Sequence, residues 1–585
     1  MRGFFGKMLR VNLTEQKFSV ENITDEVLAG YMGGKGLGTY LLNREVDPRT
    51  DPLGPENSLI FTTGIVSGTR LPGSSRYGVF AKSPLTGFYA ESYAGGKVAP
   101  AMKSTGFDAI VLQGQSKTPV YLVITPRGVQ FKEAGHLWGR DTYRAEDGML
   151  AEVGVKGAQA VVIGPAGEKL VRFACLENNY WRSAGRTGLG AVMGSKKVKG
   201  IVFYGDRRVE AARPAKLQEY IRDLIKRSRD NAVVKSYQKL GTPMMVALMN
   251  TAGVFPTRYW SQNYYEHWEK ISGEYLLEHF KVKPRACPNC VLACGKMTTV
   301  TGGPHAGLTV EGPEYETIYA FGGLCCIDKL DAIVYFNDLC DRYGIDTITT
   351  GNLCAFAIEA AKQGKLDLDI DYGDAEGVAQ LIKDIAERSG VGDLLAEGIK
   401  TASIEWDMED AAVHVKGMEP AGYDPRIFKG MGLAYATSPR GACHLRATFY
   451  KPEASGIIDP AATEGKAKLF VEYEDRLTLY DTMIECKFFR DLVLWDDLAA
   501  IHSSITGIDF TADQLRQIAR RVVDQTRLFN IKAGLTRQDD TLPERLFKVK
   551  VGNPAQNITR EELDKMVAEY YALRGWDEEG VPGNR

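Results

Sequence analysis

The texture of the chain changes once, at Pro214, and that single break sets what it can fold into. Before it, glycines interrupt short β-prone runs: SLIFTT at 58–63, then DAIVLQG, PVYLVIT, AVVIG and GIVFYG. Runs of this kind, bounded by turn residues, predict strands. Beyond Pro214 the apolar residues recur at helical spacing, as in AKLQEYIRDLIKRSRD, DKLDAIVYFNDLCDRY, NLCAFAIEAAKQ, EGVAQLIKDIAERSG and ADQLRQIARRVVDQTRLF. An α+β chain is expected, with a β-rich N-terminal base over 1–210 followed by two mainly α-helical domains over 211–420 and 421–585. One helix is punctuated closely enough to place from about Asp328 to Tyr343, with Asp328 capping its start and Gly344 suited to its left-handed end.

At 585 residues the chain exceeds what one hydrophobic core supports, so several closely packed domains are expected. Its 72 basic and 74 acidic residues give a net charge of -2, which supplies no general attraction for nucleic acid or an anionic membrane. Arg2, Lys7 and Arg10 interrupt the apolar residues of the N-terminus, and no run of eighteen apolar residues follows. The expectation is a cytoplasmic protein without membrane insertion. Ten cysteines are too sparse for a disulfide scaffold at this length, yet three of them crowd into eight residues.

That crowding is CPNCVLAC, with Cys287, Cys290 and Cys294 at spacings that let three thiolates converge on one inorganic site from a loop entering a helical turn. A fourth ligand must come from elsewhere. Structural zinc usually needs two paired ligand units, and the chain has no partner C-x2-C or H-x3-H, so spacing favours an iron-sulfur site. The other cysteines, Cys354 among them, show no ligand pattern and read as small buried apolar residues. GGKGLG lacks dinucleotide-binding spacing and GAVMGSKK lacks the glycine-lysine step of a P-loop, so neither supports NAD or ATP binding.

Segments from one end to the other resemble the tungsten-containing aldehyde:ferredoxin oxidoreductase family: RVNLT (10–14), GGKGLGTYLL (33–42), SRYGVFAKSPLTGF (75–88), SAGRTGLGAVMGSKK (183–197), EGPEYET (311–317), DRYGID (341–346), SPRGACHLR (438–446) and NIKAGLTRQDDTLPER (530–545). The resemblance implies a tungsten bis-pterin (tungstopterin) cradled by the N-terminal base, Mg2+ bridging the pterin phosphates, and a 4Fe-4S cluster on Cys287, Cys290, Cys294 and Cys486. It places Asp341, Ile345 and Asp346 on one pterin, where ionised aspartates would accept its amino and ring N–H groups. Asp481, Glu485 and Arg446 fall on the other; there the family's D-x-x-G-L-C is Asp481-Thr-Met-Ile484-Glu485-Cys486 and its lysine is Arg446. Arg76, Gly95, Arg182, Ser183, Gly185 and Arg186 suit phosphate oxygens. Tyr93 and Ser183 stand where the family carries the asparagine and alanine of its magnesium site.

The same resemblance makes Glu316 and His444 the catalytic pair, with Glu314 as an alternative carboxylate. It implies conversion of an aldehyde and water to a carboxylic acid, with His444 donating a hydrogen bond to the carbonyl oxygen and Glu316 handling protons. Electrons would leave singly through the cluster to ferredoxin or an iron-sulfur partner subunit. Tyr335-Phe-Asn-Asp338 lacks the E-x-x-H pair of the family's bridging iron, so an oligomer or hetero-complex would rest on another interface. Two rivals remain: a benzoyl-CoA reductase-type catalytic subunit, expected to need a protein thiolate on tungsten and room for a thioester, and a non-catalytic iron-sulfur electron carrier or structural protein.

Overall fold

The computed structural model describes residues 1–583. The N-terminal runs form two six-stranded sheets. In the first, Lys17–Asn22 leads through Lys7–Asn12, Ala109–Gln113, Leu59–Thr62 and Tyr77–Lys82 to Tyr89–Ala94; in the second, Arg182–Ala184 leads through Leu176–Asn178, Gln159–Val162, Val198–Phe203 and Val120–Thr125 to Gly128–Glu133. Alternation along each strand explains the layering. Leu9, Val11, Phe61 and Val79 of the first sheet share one core with Leu122, Ile124, Val161 and Ile201 of the second. The opposite faces are closed by helices, Gly34–Glu45 through Leu37 and Leu41 on the first and Thr142–Val153 through Ala145 and Met149 on the second. With both faces covered, the strands read as nearly continuous apolar runs.

The remainder is chiefly helical around a large core that includes Phe255, Trp260, Phe321, Phe356, Tyr435, Phe449 and Phe470. Helix Thr347–Lys362 runs through it with Leu353, Cys354, Phe356 and Ile358 fully buried. The punctuated helix spans Leu330–Tyr343, with Lys329 at its N-cap. Asp328 does not cap it, because its carboxylate pairs with Lys270 at 2.7 Å. Gly344 ends it at φ 72°, its amide bonded to the Cys340 carbonyl. Among the described residues no helix is long and apolar enough to cross a membrane.

Two glycines of the β-rich part explain how the halves join. A side chain on Gly164 would meet the Tyr343 carbonyl oxygen at 2.1 Å, and one on Gly64 would meet the Met483 carbonyl oxygen at 2.0 Å. Each aspartate motif is therefore seated, backbone to backbone, on a position that only glycine fits.

Candidate active site

Two cavities open between the sheets and the helices. The first, about 330 Å³, is lined by Arg76, Tyr93, Ser183, Gly185, Arg186, Glu314, Glu316, His444 and Arg446. The second, about 280 Å³, is lined by Gly95, Arg182 and the four cysteines Cys287, Cys290, Cys294 and Cys486. Arg76, Tyr93 and Ser183 border both, so the two spaces share a wall.

The cysteine triplet is carried by an antiparallel hairpin, Lys281–Arg285 with Gly295–Thr299, and not by a loop entering a helical turn. Between the strands the chain turns tightly, with Asn289 at φ 60° and Ala293 at φ 42°. Cys486 arrives just after helix Lys466–Met483, which breaks at Ile484 in the left-handed region. No three His, Cys, Asp or Glu side chains among the described residues converge closely enough to hold a single ion. The thiols instead ring a cavity, which suits a polynuclear cluster better than one zinc. Gly95 borders this cavity because a side chain there would stand 3.2 Å from the Cys287 sulfur. Arg182 lies against Cys287 and Cys294 and pairs with Glu311.

In the first cavity, Glu316 sits on the short helix Tyr315–Ile318 with Oε2 accepting from the Gly422 amide at 2.9 Å. Its Oε1 is 3.5 Å from His444 Nε2, and neither Glu316 Oε1 nor His444 Nδ1 has a hydrogen-bond partner. Burial pushes the Glu316 carboxyl up to about 7. Burial, reinforced by Arg186, Arg440 and Arg446, drives His444 well below its usual range and keeps it neutral. A neutral imidazole beside a carboxyl poised near neutrality can donate a hydrogen bond and exchange a proton.

Charge around this pair is arranged in chains. Arg186 pairs with Asp346 at 3.1 Å and donates to the Glu419 carbonyl, while Asp346 also caps helix Thr347–Lys362. Arg446 lies between Glu91 at 2.5 Å and Asp481 at 2.9 Å; Lys35 pairs with Glu91, and Lys487 with Asp481. Asp341, Ile345, Asp346, Asp481 and Glu485 line neither cavity. Asp341 accepts from Asn337 at 2.7 Å, and burial together with Glu177 and Asp338 holds its carboxyl well above the usual range. Ile345 bridges Ala174, and both carboxyl oxygens of Glu485 are buried against Gly73 with no partner.

Several participants escaped the motifs. Glu91 is ordinary in sequence, although a carboxylate in the otherwise uncharged strand YAESYA is a usable signal, and Lys35 lay within GGKGLGTYLL unassigned. Arg440 lay within SPRGACHLR unassigned. Tyr423 and Tyr450 stack at 4.0 Å beside His444 and close one side of the chamber. Cys443 adjoins His444 in sequence, yet its sulfur is turned onto Arg440, which donates from Nε at 3.2 Å and Nη2 at 3.0 Å. Burial alone would raise that thiol; Arg440 and Arg446 outweigh it and bring it down to about 6.

The donor set fits the implied groups. Four guanidinium groups, Arg76, Arg186, Arg440 and Arg446, face the first cavity, and Arg446 Nε is buried without a partner. Such a wall suits anionic sulfur and phosphate, and the thiol-lined cavity beside it suits an iron-sulfur cluster.

Residues 8–205 match the family described as aldehyde ferredoxin oxidoreductase, N-terminal domain, and residues 219–585 match its domains 2 and 3. The chain is 37% identical to the tungsten-containing aldehyde ferredoxin oxidoreductase of Thermococcus kodakarensis, over 99% of this chain and 97% of the relative. Its identity to the Pyrococcus furiosus protein of the same name is 36%, with the same coverage. At 28% identity it also matches the WOR-like subunit of an aliphatic sulfonate oxidoreductase from Pyrococcus furiosus, over 100% of this chain and 96% of that one. Among solved structures, the active-site complex BamBC of benzoyl coenzyme A reductase with 1,5-dienoyl-CoA shares the fold at a TM-score of 0.87 and 24% identity, covering 99% of this chain and 96% of that one.

Proposed function

The chain belongs to the aldehyde ferredoxin oxidoreductase family of tungsten enzymes, and on that premise we propose that it oxidises aldehydes to carboxylic acids with water as the oxygen source. The observation that carries this reading is the Glu316–His444 pair facing a chamber walled by arginines, with no cysteine among the described lining residues. The one thiol near enough in sequence, Cys443, is held by Arg440, which weighs against a protein thiolate on the metal.

The residues then divide the work. Arg76, Arg182, Arg186, Gly95, Ser183 and Gly185 would hold the phosphate ends of a bis-pterin with Mg2+, with Tyr93 beside them. By the family resemblance Asp341, Ile345 and Asp346 would hold one pterin head, and Arg446, Asp481 and Glu485 the other, although of these six only Arg446 lines either cavity. Cys287, Cys290, Cys294 and Cys486 would hold a 4Fe-4S cluster. When bound, the tungsten pterin supplies the two-electron oxidation. An imidazole N–H of His444 donates to the carbonyl oxygen of the aldehyde and orients it. Glu316, through Oε1, takes a proton from the water that adds to that carbon. Aldehyde and water give acid, two protons and two electrons, and the electrons leave one at a time to a ferredoxin or iron-sulfur subunit.

The test is metal analysis of anaerobically purified protein together with dye-linked oxidation of aliphatic and aromatic aldehydes. Tungsten with about four irons and aldehyde turnover is the expected result. Tungsten without aldehyde turnover, but with reduction of an aromatic thioester by a low-potential donor, would move the chain to the ring-reductase branch.

Two further outcomes follow from the same geometry. Because the Glu316 carboxyl is raised to about 7 and serves as a base in its ionised form, kcat/KM for an aldehyde is expected to rise with pH and level off above that value. In Glu316→Gln the residual rate should lose this limb, and an unchanged profile would remove Glu316 as its source. Asp341→Ala should leave a pterin donor unpaired in a closed site, at a local cost of roughly 1–3 kcal/mol, and lower tungsten per protein. Wild-type tungsten content in that variant would remove the contact.

A further inference from the structure

The thiol-lined cavity carries both signs of charge on its inner wall, Arg76 and Arg182 beside Glu311 and Glu314. Nearer the surface stand the exposed Lys97, Lys235 and Lys239, in a chain whose net charge is -2. They are joined to the cavity by specific contacts. The Gly96 amide donates to the Cys287 sulfur at 3.4 Å, so the exposed Lys97 is the next residue beyond a cluster thiol. Helix Ala232–Leu240 reaches the cysteine turn through Gln238, which donates to the Val291 carbonyl at 2.9 Å. On that helix Lys235 and Lys239 are exposed and one turn apart, so they share a face. Arg285 begins the cysteine segment and lies over Trp181 at 5.0 Å, partly exposed. Ala286 and Asn289 are exposed and Cys287 and Cys290 only partly covered, so this is the side on which the cavity comes nearest to solvent.

We propose that this cationic surface over Cys287 and Cys290 is the docking face for an acidic, low-potential electron-carrier protein, steered by Lys97, Lys235, Lys239 and Arg285. The proposal rests on the cluster reading given above. Electron transfer falls steeply with distance, so the carrier must settle where the cluster approaches the surface. There it meets the exposed Lys97, Lys235 and Lys239, with the partly exposed Arg285 held by the buried Glu311 at 3.3 Å. Exposed charges add little net affinity individually, but a one-signed patch speeds encounter with an oppositely charged partner and makes it depend on salt. Two carriers are each reduced by one electron for every aldehyde oxidised.

The experiment uses the holoenzyme and a purified acidic 4Fe-4S ferredoxin as the carrier. In Lys97→Glu combined with Lys239→Glu, kcat/KM for the carrier at low ionic strength should fall at least tenfold. The Kd for carrier binding should rise by a similar factor, and the salt dependence of both should flatten. Viologen-linked aldehyde oxidation should stay at the wild-type rate, since neither lysine touches the chamber. Lys400→Glu with Lys468→Glu, on other helices, should leave carrier kinetics unchanged. Unaltered carrier binding in the first pair, equal loss in the second, or selective loss of duplex DNA binding instead of carrier binding would each overturn the surface assignment. Failure of the aldehyde reading would show separately, as absent viologen-linked turnover in an enzyme whose carrier binding still responds to Lys97 and Lys239.

Discussion

Cys290→Ser is expected to lose most of the iron and the electron paramagnetic resonance signal of the reduced protein, while Cys354→Ser keeps both. The two residues differ in what surrounds them. Cys290 borders the cavity shared with Cys287, Cys294 and Cys486. Burial pushes its thiol up to about 12 in the absence of a cation, and the neighbouring Cys486 adds to that. Four thiols gathered round one space are ready to bind a metal as thiolates, which couples cluster binding to folding of the cysteine turn. A serine hydroxyl is a weaker ligand that ionises far less readily. Cys354, by contrast, is fully buried in helix Thr347–Lys362 among Leu353, Phe356 and Ile358, where serine costs packing but no ligand. Equal iron and sulfide in the two variants would remove Cys290 from the ligand set.

The parts of this fold that are legible in the sequence are those whose cause is local. The runs at 109–113 and 120–125 are strands buried on both faces, so their apolar residues need no partner to be recognised. Helix Ala512–Lys532 announces itself through Thr511 and Gln514, which cap each other's amides. The hairpin beneath the cysteines is invisible for the opposite reason. KVKPR is largely exposed and contains a proline, and only its pairing with GKMTT makes it a strand. Asp328 shows how a locally reasonable cap loses to a tertiary ion pair with Lys270.

The site divides in the same way. The cysteine spacing is chemistry written in a few residues, and it leads to a real cavity that Cys486 also lines. The chain from Lys35 through Glu91 and Arg446 to Asp481 is assembled from four distant segments, and no window of sequence contains it. The glycines fall between these cases. In the sequence they only interrupt β-prone runs, yet Gly64 and Gly164 are where the two aspartate motifs press against the base.

The largest functional effect is expected from Glu316→Gln and His444→Asn. Each should retain tungsten and iron yet lose aldehyde oxidation by at least about a hundredfold, the scale of a positioned acid-base group and equivalent to roughly 2.7 kcal/mol of transition-state stabilisation. Neither side chain belongs to the arginines proposed to hold phosphate or to the four thiols, so both proposed attachments should survive. Glutamine preserves the shape of Glu316 and can still accept from the Gly422 amide, as Oε2 does now. What it removes is the ionisable group that burial has brought to about 7. Asparagine keeps an N–H donor near the position of His444 but shortens the reach and withdraws the ring from Tyr423. If orientation by the imidazole matters, this variant should lose kcat more than it raises KM. Several aldehydes have to be assayed alongside metal content, because a poorly chosen substrate would mimic an inactive enzyme. Turnover within a few fold of wild type in both variants would leave carbonyl activation to the cofactor alone and return Glu316 and His444 to a structural role. A hundredfold loss in Glu316→Gln together with loss of its pH limb would instead tie the rate to a proton held on that one buried carboxyl.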